Sequence, residues 1–305
     1  MATIKVGESV QLPCEPPKYV SMDTSIATVS QSGVVTAVGL GTVKIRAITT
    51  IDVVSADVTP EPAPTPDPIP SGPTNEPSGL ALIGERPFNS VDENPLFDDH
   101  DNGSLKFTTD ETAPFSPPNV GQAFYPAGFT SKGIGVGESN ISFSGKRYLY
   151  VRWYLKYSSN WYGHDSGNNK NAFIWSNGSN PSLVFENLCQ GYGEMVPGFV
   201  GQDIVHPLAD EIDWRPNIVP GARFIRGQWH QVELYVVGNT SGNADGSIAW
   251  WLDGVKIGEV LNLRFNSGAT NWTMFKNCST WGGVGGPNVP ADQYLNVDHV
   301  YVSGK

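Results

Sequence analysis

The chain has 305 residues, of which 39% are hydrophobic and only 16% are charged, whereas an average soluble domain has about 25% charged residues. Its 34 glycines and 24 prolines favour turns and short strands over long helices. The 19 basic residues against 30 acidic ones give a net charge of −11, which excludes a nucleic-acid-binding protein because phosphate binding needs clustered cations. No apolar run approaches the roughly 18 residues of a membrane span. At this length two domains are expected.

The first 58 residues predict a small β-sandwich. Polarity alternates along the segment that ends in Val43, Ile45 and Ala47, which places these three side chains on one face of a strand. Gly33 and Gly41 mark turns between short strands. This part of the chain contains no histidine and no tryptophan, and its carboxylates are scattered. We therefore expect a structural role for it and no catalysis.

Three runs in this segment resemble the bacterial Ig-like group 2 family. They are TSIATV (24–29), SGVVTAV (32–38) and GTVKI (41–45), and together they cover most of residues 1–58. The resemblance implies a stalk or adhesive module of the kind found on bacterial surface proteins and on tailed-phage virion proteins.

Residues 59–78 predict a linker. They read TPEPAPTPDPIPSGPTNEPS, with eight prolines, and such a sequence favours an extended, semi-rigid spacer. Composition also changes across it, because all nine tryptophans follow position 150. Ligand chemistry is therefore expected in residues 79–305 alone.

Residues 79–305 predict one large β-sandwich. The segments 148–157, 229–237 and 247–252 alternate between apolar and polar residues as half-buried strands do. Asp253-Gly254 is a strong hairpin signal after the last of them. The fold class expected for the whole chain is all-β, with a small Ig-like sandwich and a larger jelly roll joined by the linker.

Four motifs resemble the concanavalin-like jelly rolls, in their polysaccharide-lyase-like and laminin-G-like branch. These are RGQWHQVE (226–233), NT (239–240), DG (245–246) and WWLDG (250–254). The segment 148–157 and the closing WGG (281–283) and NVDHV (296–300) also fit, so the resemblance covers most of residues 145–305. It implies a concave sheet on which an extended polymer can lie.

The outward side chains of two predicted strands have the composition of a saccharide-binding face, because aromatic rings stack on sugars and polar groups hydrogen-bond hydroxyls. This face comprises Tyr150, Arg152, Tyr154, Lys156, Gln231, Glu233 and Tyr235. The alternative is that another segment covers this face or that it docks against a partner protein, and both interpretations stay open.

Lyase chemistry needs a base and a group that neutralises a uronate carboxylate. The candidates are Arg152, Tyr154, Lys170 and His206. Lys170 stands where the lyase-like branch carries a Gly-Gly-Lys segment, but its flanking sequence departs from that pattern. For glycoside hydrolysis, Glu186 and Glu233 are the candidate carboxylate pair.

An acidic cluster offers one candidate metal site. Asp98, Asp99 and Asp101 have the oxygen ligands that calcium prefers, and the resemblance implies that Asp298 could join them; a solvated turn is the alternative. No other cofactor is expected. His164 and His299 are given no role.

The three cysteines, Cys14, Cys189 and Cys278, lack metal-site spacing. A Cys189–Cys278 disulfide is one alternative, but we expect both residues to be buried free thiols.

The sequence supports two functional hypotheses. The first is a non-enzymatic accessory protein on a tailed-phage virion, a capsid decoration or fibre-like protein. The Ig-like domain would dock to capsid or tail proteins and the jelly roll would display a face for host-surface or environmental glycans or for a protein contact. The absence of a secretory signal pattern after Met1 favours this location at the virion surface, and a homo-oligomer is expected. The second is an extracellular polysaccharide lyase, or a binding module derived from one, that acts on an acidic glycan.

Overall fold

The computed structural model describes residues 9–11, 18–21, 24, 26–30, 34–38, 45–48, 75–99, 105–176, 181–205 and 209–305. Every regular element in these residues is a β-strand, as the sequence predicts. No helix long and apolar enough to span a membrane occurs in this part of the chain. The strands are β1 Ser9–Gln11, β2 Lys18–Ser21, β3 Ala27–Val29, β4 Val34–Ala37, β5 Ile45–Ile48, β6 Ala81–Arg86, β7 Phe97–Asp98, β8 Leu105–Thr109, β9 Asn119–Tyr125, β10 Thr130–Lys132, β11 Val136–Lys146, β12 Tyr148–Tyr157, β13 Asn168–Ser176, β14 Ser182–Leu188, β15 Val196–Ile204, β16 Ala209–Trp214, β17 Trp229–Val237, β18 Gly246–Leu252, β19 Val255–Leu263, β20 Trp272–Trp281, β21 Val284–Asn288 and β22 Gln293–Gly304.

The chain forms two compact units, Met1–Thr65 and Pro66–Lys305. In the first unit, β1, β4 and β3 form one small sheet and β2 pairs with β5. The apolar side chains of Ala27, Val35 and Ala37 are buried. The boundary lies within the predicted linker, whose residues 59–74 lie outside the described part of the chain, as does Cys14. The Ig-like assignment stays a prediction.

The second unit consists mainly of two large antiparallel sheets. One has eight strands in the order β19-β18-β17-β12-β22-β9-β8, with β6 also paired to β22. The other has seven strands in the order β16-β15-β14-β13-β20-β11-β7. Both sheets contribute to a single apolar core that contains Trp153, Trp250 and Trp272. Because alternate side chains leave a strand on opposite faces, each sheet also has an outer face that points away from this core.

The predicted strand segments agree closely with the structure. β12 and β17 have the predicted bounds, and β18 begins one residue earlier than predicted. The alternate residues Leu149, Val151, Trp153 and Leu155 all enter the core. Between β18 and β19, Asp253 and Gly254 have φ values of 51° and 78°. Two consecutive residues with positive φ form the hairpin turn that an Asp-Gly pair favours.

Both described cysteines are buried free thiols, as expected from the sequence. Cys189 and Cys278 make no disulfide, and their exposed fractions are 2% and 3%. Burial raises the pKa of each thiol above its ordinary value, which disfavours the reactive thiolate.

Candidate functional site

The outer face of the eight-stranded sheet holds the seven side chains that the sequence proposes for saccharide binding. β12 and β17 pair directly, with Tyr150 opposite Tyr235 and Arg152 opposite Glu233. These neighbours therefore lie on one face, as expected. The face is closed to solvent at its centre, because five of the seven side chains have exposed fractions of 0–1%; they are Tyr150, Arg152, Tyr154, Gln231 and Glu233.

Two segments among the described residues cover this face, and one of them contains Asn75 and Glu76. The Asn75 backbone N–H donates to Glu233 Oε2 at 2.8 Å, and its side-chain amide donates to Glu233 Oε1 at 2.9 Å. Glu233 also accepts from the Tyr150 hydroxyl at 2.6 Å and from the Gln231 amide at 2.8 Å. Glu76 accepts from Tyr301 at 3.2 Å. The Glu233 carboxylate is therefore fully engaged within the protein.

The second covering segment is the loop 110–116. The Phe115 ring stacks on the His299 imidazole with 3.6 Å between centroids and 8° between planes. Arg152 donates to the Tyr154 hydroxyl at 3.1 Å and lies 2.8 Å from His299 Nδ1. Asp298 accepts from the backbone N–H groups of Phe115 and Ser116 at 2.8 and 3.2 Å. The loop is thus held on the sheet by both stacking and hydrogen bonds.

The prediction of an open saccharide face at these residues is wrong for the five buried side chains, and the alternative of a covering segment describes the structure. Lys156 and Tyr235 remain half-buried at the margins. Lys156 donates to Asp110 at 2.6 Å. Although burial acts to raise the pKa of Asp110, the hydrogen bond from Lys156 helps to hold that pKa below its ordinary value. Strand alternation tells which side chains point away from the core, but not whether a further segment lies over them.

The buried His299 makes the stability of the folded protein depend on pH. Burial and the neighbouring Arg152 guanidinium lower the pKa of His299 to about 3, against about 6.5 in an unfolded chain. Between about pH 6.5 and pH 3 the unfolded chain therefore binds a proton that the folded chain does not, and stability falls as pH decreases through this range. Burial raises the pKa of Asp298, which acts in the opposite direction at the acid end. Glu85 lies nearby, with Oε1 3.9 Å from His299 Nε2.

We expect His299→Asn to be less stable than the wild type at pH 7.5 by about 0.5–1.5 kcal/mol, because the stacking on Phe115 is lost. Asparagine tolerates the φ of 46° at this position. Asp298 and Glu85 are present in both proteins, so the difference between them isolates His299. Urea unfolding at pH 7.5, 6 and 4.5 should show that difference shrinking as pH falls. A constant difference would mean that His299 titrates normally in the folded protein.

The outer face of the seven-stranded sheet carries two open depressions that the sequence did not single out. The first, of about 330 Å³, is lined by Pro95, Leu96, Phe97, Asp98, Asn140, Ser142, Trp175, Met274 and Lys276. The second, of about 290 Å³, is lined by Gly133, Ile134, Gly135, Glu138, Phe173, Trp175, Lys276, Cys278 and Thr280. Trp175 and Lys276 line both depressions. We call this continuous surface the sheet groove, and these two side chains form the ridge at its middle.

Aromatic and charged groups are packed together on this ridge. Lys276 Nζ lies 5.4 Å from the centroid of the Trp175 ring and 2.7 Å from Glu138 Oε2. Glu138 Oε1 accepts from the Cys278 thiol at 3.1 Å. Phe173 packs edge-to-face on Trp175, with centroids 6.3 Å apart. Phe173 and Trp175 are only partly buried, so the groove presents an aromatic surface beside polar groups.

The three lyase candidates that the structure describes do not come together. Arg152 and Tyr154 lie under the covering segments on the eight-stranded sheet, and burial raises the pKa of Tyr154 in spite of the adjacent Arg152. Lys170 lies on β13 of the other sheet, paired with Glu186 and Thr280. His206 lies outside the described residues. None of the seven strands that form the groove sheet contains tyrosine or histidine.

The carboxylate pair proposed for glycoside hydrolysis is also separated. Glu186 alternates on β14 with the core residues Leu183 and Phe185, so it points to the outer face of the seven-stranded sheet. Glu233 points to the outer face of the eight-stranded sheet. The two carboxylates therefore cannot act across one groove, as hydrolysis requires, and this prediction is wrong.

Two of the aspartates proposed for calcium, Asp99 and Asp298, have protein hydrogen-bond partners. Asp99 accepts from Arg86 Nε at 3.3 Å and from the Ser139 hydroxyl at 2.7 Å. Asp298 is bound by the loop 110–116, Asp98 lines the sheet groove, and Asp101 lies outside the described residues. Among the residues described, no group of three or more His, Cys, Asp or Glu side chains could hold a metal ion.

Comparisons with known proteins give similarity of fold but not of sequence. No protein-family model matches the chain, and no curated protein matches it. The crystal structure of an endo-β-1,4-glucuronan lyase from the fungus Trichoderma reesei aligns with a TM-score of 0.53 and 13% identity, over 74% of this chain and 96% of that one. The alginate lyase Aly36B in complex with an alginate tetrasaccharide aligns with a TM-score of 0.50 and 15% identity, over 66% and 85%.

A carbohydrate esterase from the Shiga toxin-encoding bacteriophage phi24B aligns with a TM-score of 0.45 and 11% identity, over 74% of this chain and 100% of that one. The alignments with the glucuronan lyase and the alginate lyase show that the all-β sandwich fold of this chain resembles those of carbohydrate-active proteins.

Proposed function

We propose that the second unit binds a saccharide in the sheet groove without cleaving it. The observation that carries this proposal is the ridge of Trp175 and Lys276 between two depressions lined by hydroxyl and amide groups. An exposed aromatic ring supplies apolar area for the face of a sugar ring, and neighbouring polar side chains fix its hydroxyls. Asn140, Ser142 and Thr280 supply such groups on adjacent strands of the sheet.

A binding role suits this site better than a lyase role. Proton removal beside a uronate needs a base within hydrogen-bond reach of the substrate. The candidate Tyr154 lies on the other sheet, and the strands of the groove sheet contain no tyrosine or histidine. The fold similarity to a glucuronan lyase and an alginate lyase is a reason to include uronic-acid polymers in the tests, and it does not transfer their activity.

In its wider setting, we propose that the chain is a virion accessory protein of a tailed phage. The Ig-like resemblance of residues 1–58 and the proline-rich segment after them support an arrangement in which the first unit attaches to capsid or tail proteins. The second unit would then display the groove to glycans at the virion surface. Mass spectrometry of purified particles tests this setting, since a virion protein must be present in stoichiometric amounts.

Two assays test the proposed function of the groove. One measures retention of the chain by a polysaccharide, and the other measures cleavage of the polysaccharide. We expect native electrophoresis through gels that contain polysaccharide to retard the full chain. We also expect incubation with alginate, glucuronan and pectate to give no increase in the absorbance of an unsaturated product. A steady increase would overturn the non-enzymatic assignment in favour of a lyase. If no polysaccharide retards the chain, the proposal of saccharide binding is wrong.

A further inference from the structure

The charges of the sheet groove indicate which class of saccharide it accepts. Among the described lining residues, the groove has two carboxylates, Asp98 and Glu138, and one ammonium group, Lys276. A polymer of uronic acids places one negative charge on each sugar, and it would meet a lining with more carboxylates than ammonium groups. Like charges that come together in this way are unfavourable. Lys170 lies beside this lining, 6.0 Å from the Phe173 ring centroid, and is directly opposite Glu186 on the next strand.

The one ammonium group in this lining is already committed. Lys276 Nζ lies 2.7 Å from Glu138 Oε2, and the exposed fractions of the two side chains are 14% and 3%. A uronate carboxylate that approached Lys276 would have to compete with a carboxylate that is fixed beside it. A ligand carboxylate does not readily replace the protein carboxylate in an ion pair that is shielded from solvent, because breaking such a pair leaves an uncompensated charge.

The remaining groups suit an uncharged sugar. The Trp175 ring is partly exposed, and the Asn140 amide and the Ser142 and Thr280 hydroxyls can exchange hydrogen bonds with sugar hydroxyls. We infer that the groove binds a neutral polysaccharide and that the Glu138–Lys276 ion pair disfavours the binding of acidic ones. This inference rests on the proposed saccharide binding.

The test compares neutral and acidic polymers on the full chain. Affinity electrophoresis is carried out with hydroxyethylcellulose, glucomannan and xyloglucan as neutral probes and with alginate and glucuronan as acidic probes. We expect the wild type to be retarded by at least one neutral polymer and by neither acidic one. Preference for alginate or glucuronan would overturn the inference while leaving saccharide binding intact. Retardation by none of the five would overturn the proposed function and the inference with it.

Glu138→Gln tests whether the Glu138–Lys276 ion pair sets the specificity. The substitution keeps the shape of the side chain and releases the charge of Lys276, so we expect affinity for alginate to rise by about tenfold. This gain should weaken as salt is added, because exposed charges are screened. Affinity for the neutral polymer is measured in parallel, so that a gain confined to alginate is distinguished from a general change in saccharide binding.

The matched control is Glu194→Gln, which makes the same change in net charge and releases Arg223 from an ion pair of 2.8 Å outside the groove lining. It should leave alginate binding absent. If both variants gain alginate affinity equally, net charge and not the Glu138–Lys276 pair sets the specificity. Should Glu138→Gln fail to fold, Lys276→Met provides the second variant. It removes the cation, so we expect no gain of alginate binding; a gain of alginate affinity in a folded protein contradicts the inference.

Discussion

Arg152→Ala is expected to lower the free energy of unfolding by about 3–5 kcal/mol, because it removes a buried cation that favours the charged form of the buried Asp298 and leaves the other contacts of Arg152 unmade. The Arg152 side chain is fully buried. Its guanidinium contacts Tyr154 and His299 and lies 5.7 Å from the centroid of the Phe115 ring. The truncation would therefore disturb both the sheet and the loop 110–116 that covers it. Urea unfolding at pH 7.5 measures the change.

Arg223→Ala is the matched control for this variant. Arg223 is likewise an arginine with a side-chain partner, an ion pair with Glu194 at 2.8 Å, but the exposed fractions of the two side chains are 30% and 74%. Solvent screens such a pair, so its loss is expected to cost about 0–1 kcal/mol. If the two variants lose the same stability, the face around Arg152 is open to solvent. The sequence-based prediction of an exposed binding face there would then be restored.

Trp175→Ala is expected to weaken saccharide binding by roughly thirtyfold, as truncation of a central tryptophan in a binding site typically costs about 2 kcal/mol. Trp175 lines both halves of the sheet groove, so the loss removes the apolar platform and leaves Lys276 without its aromatic neighbour. Titration calorimetry with the neutral polymer that retards the wild type gives the change in affinity. Thermal unfolding of the same variant shows whether the fold is kept.

Trp251→Ala serves as the control, since Trp251 is also partly buried and also has a lysine near its ring. Lys256 Nζ lies 5.7 Å from the Trp251 centroid, close to the 5.4 Å between Lys276 and Trp175. Trp251 is on β18 of the opposite sheet. We expect its truncation to leave affinity unchanged within about twofold. Equal losses in the two variants would place the ligand elsewhere or make the effect one of general stability.

The second unit's strands could be predicted because their alternation is a local property. The residues of β12 alternate between core and outer face as expected, and the Asp253-Gly254 turn forms where its chemistry requires. The outward direction of Tyr150 and Arg152 was equally predictable. Their burial was not, because it depends on Asn75 and Phe115, which are distant in sequence and carry no signal that they return to this sheet.

The sheet groove was missed for the same physical reason. Phe173 and Trp175 have the period-2 spacing of outward side chains on β13, so a local signal for them existed. Their partners Glu138 and Lys276 come from strands that are adjacent only after the chain has crossed between sheets. Whether a segment covers the outer face of a sheet at a given strand is decided by loops, and a single sequence does not specify where such a loop packs.

A crystal structure of the full chain with a bound neutral oligosaccharide would show directly whether the sheet groove is the binding site. The ligand would be the oligomer of whichever neutral polymer retards the wild type. We expect a sugar ring on Trp175, with hydroxyls within hydrogen-bond distance of Asn140, Ser142 or Thr280 and with the Glu138–Lys276 pair intact. A sugar on the eight-stranded sheet, with the loop 110–116 displaced from Arg152 and His299, would contradict it.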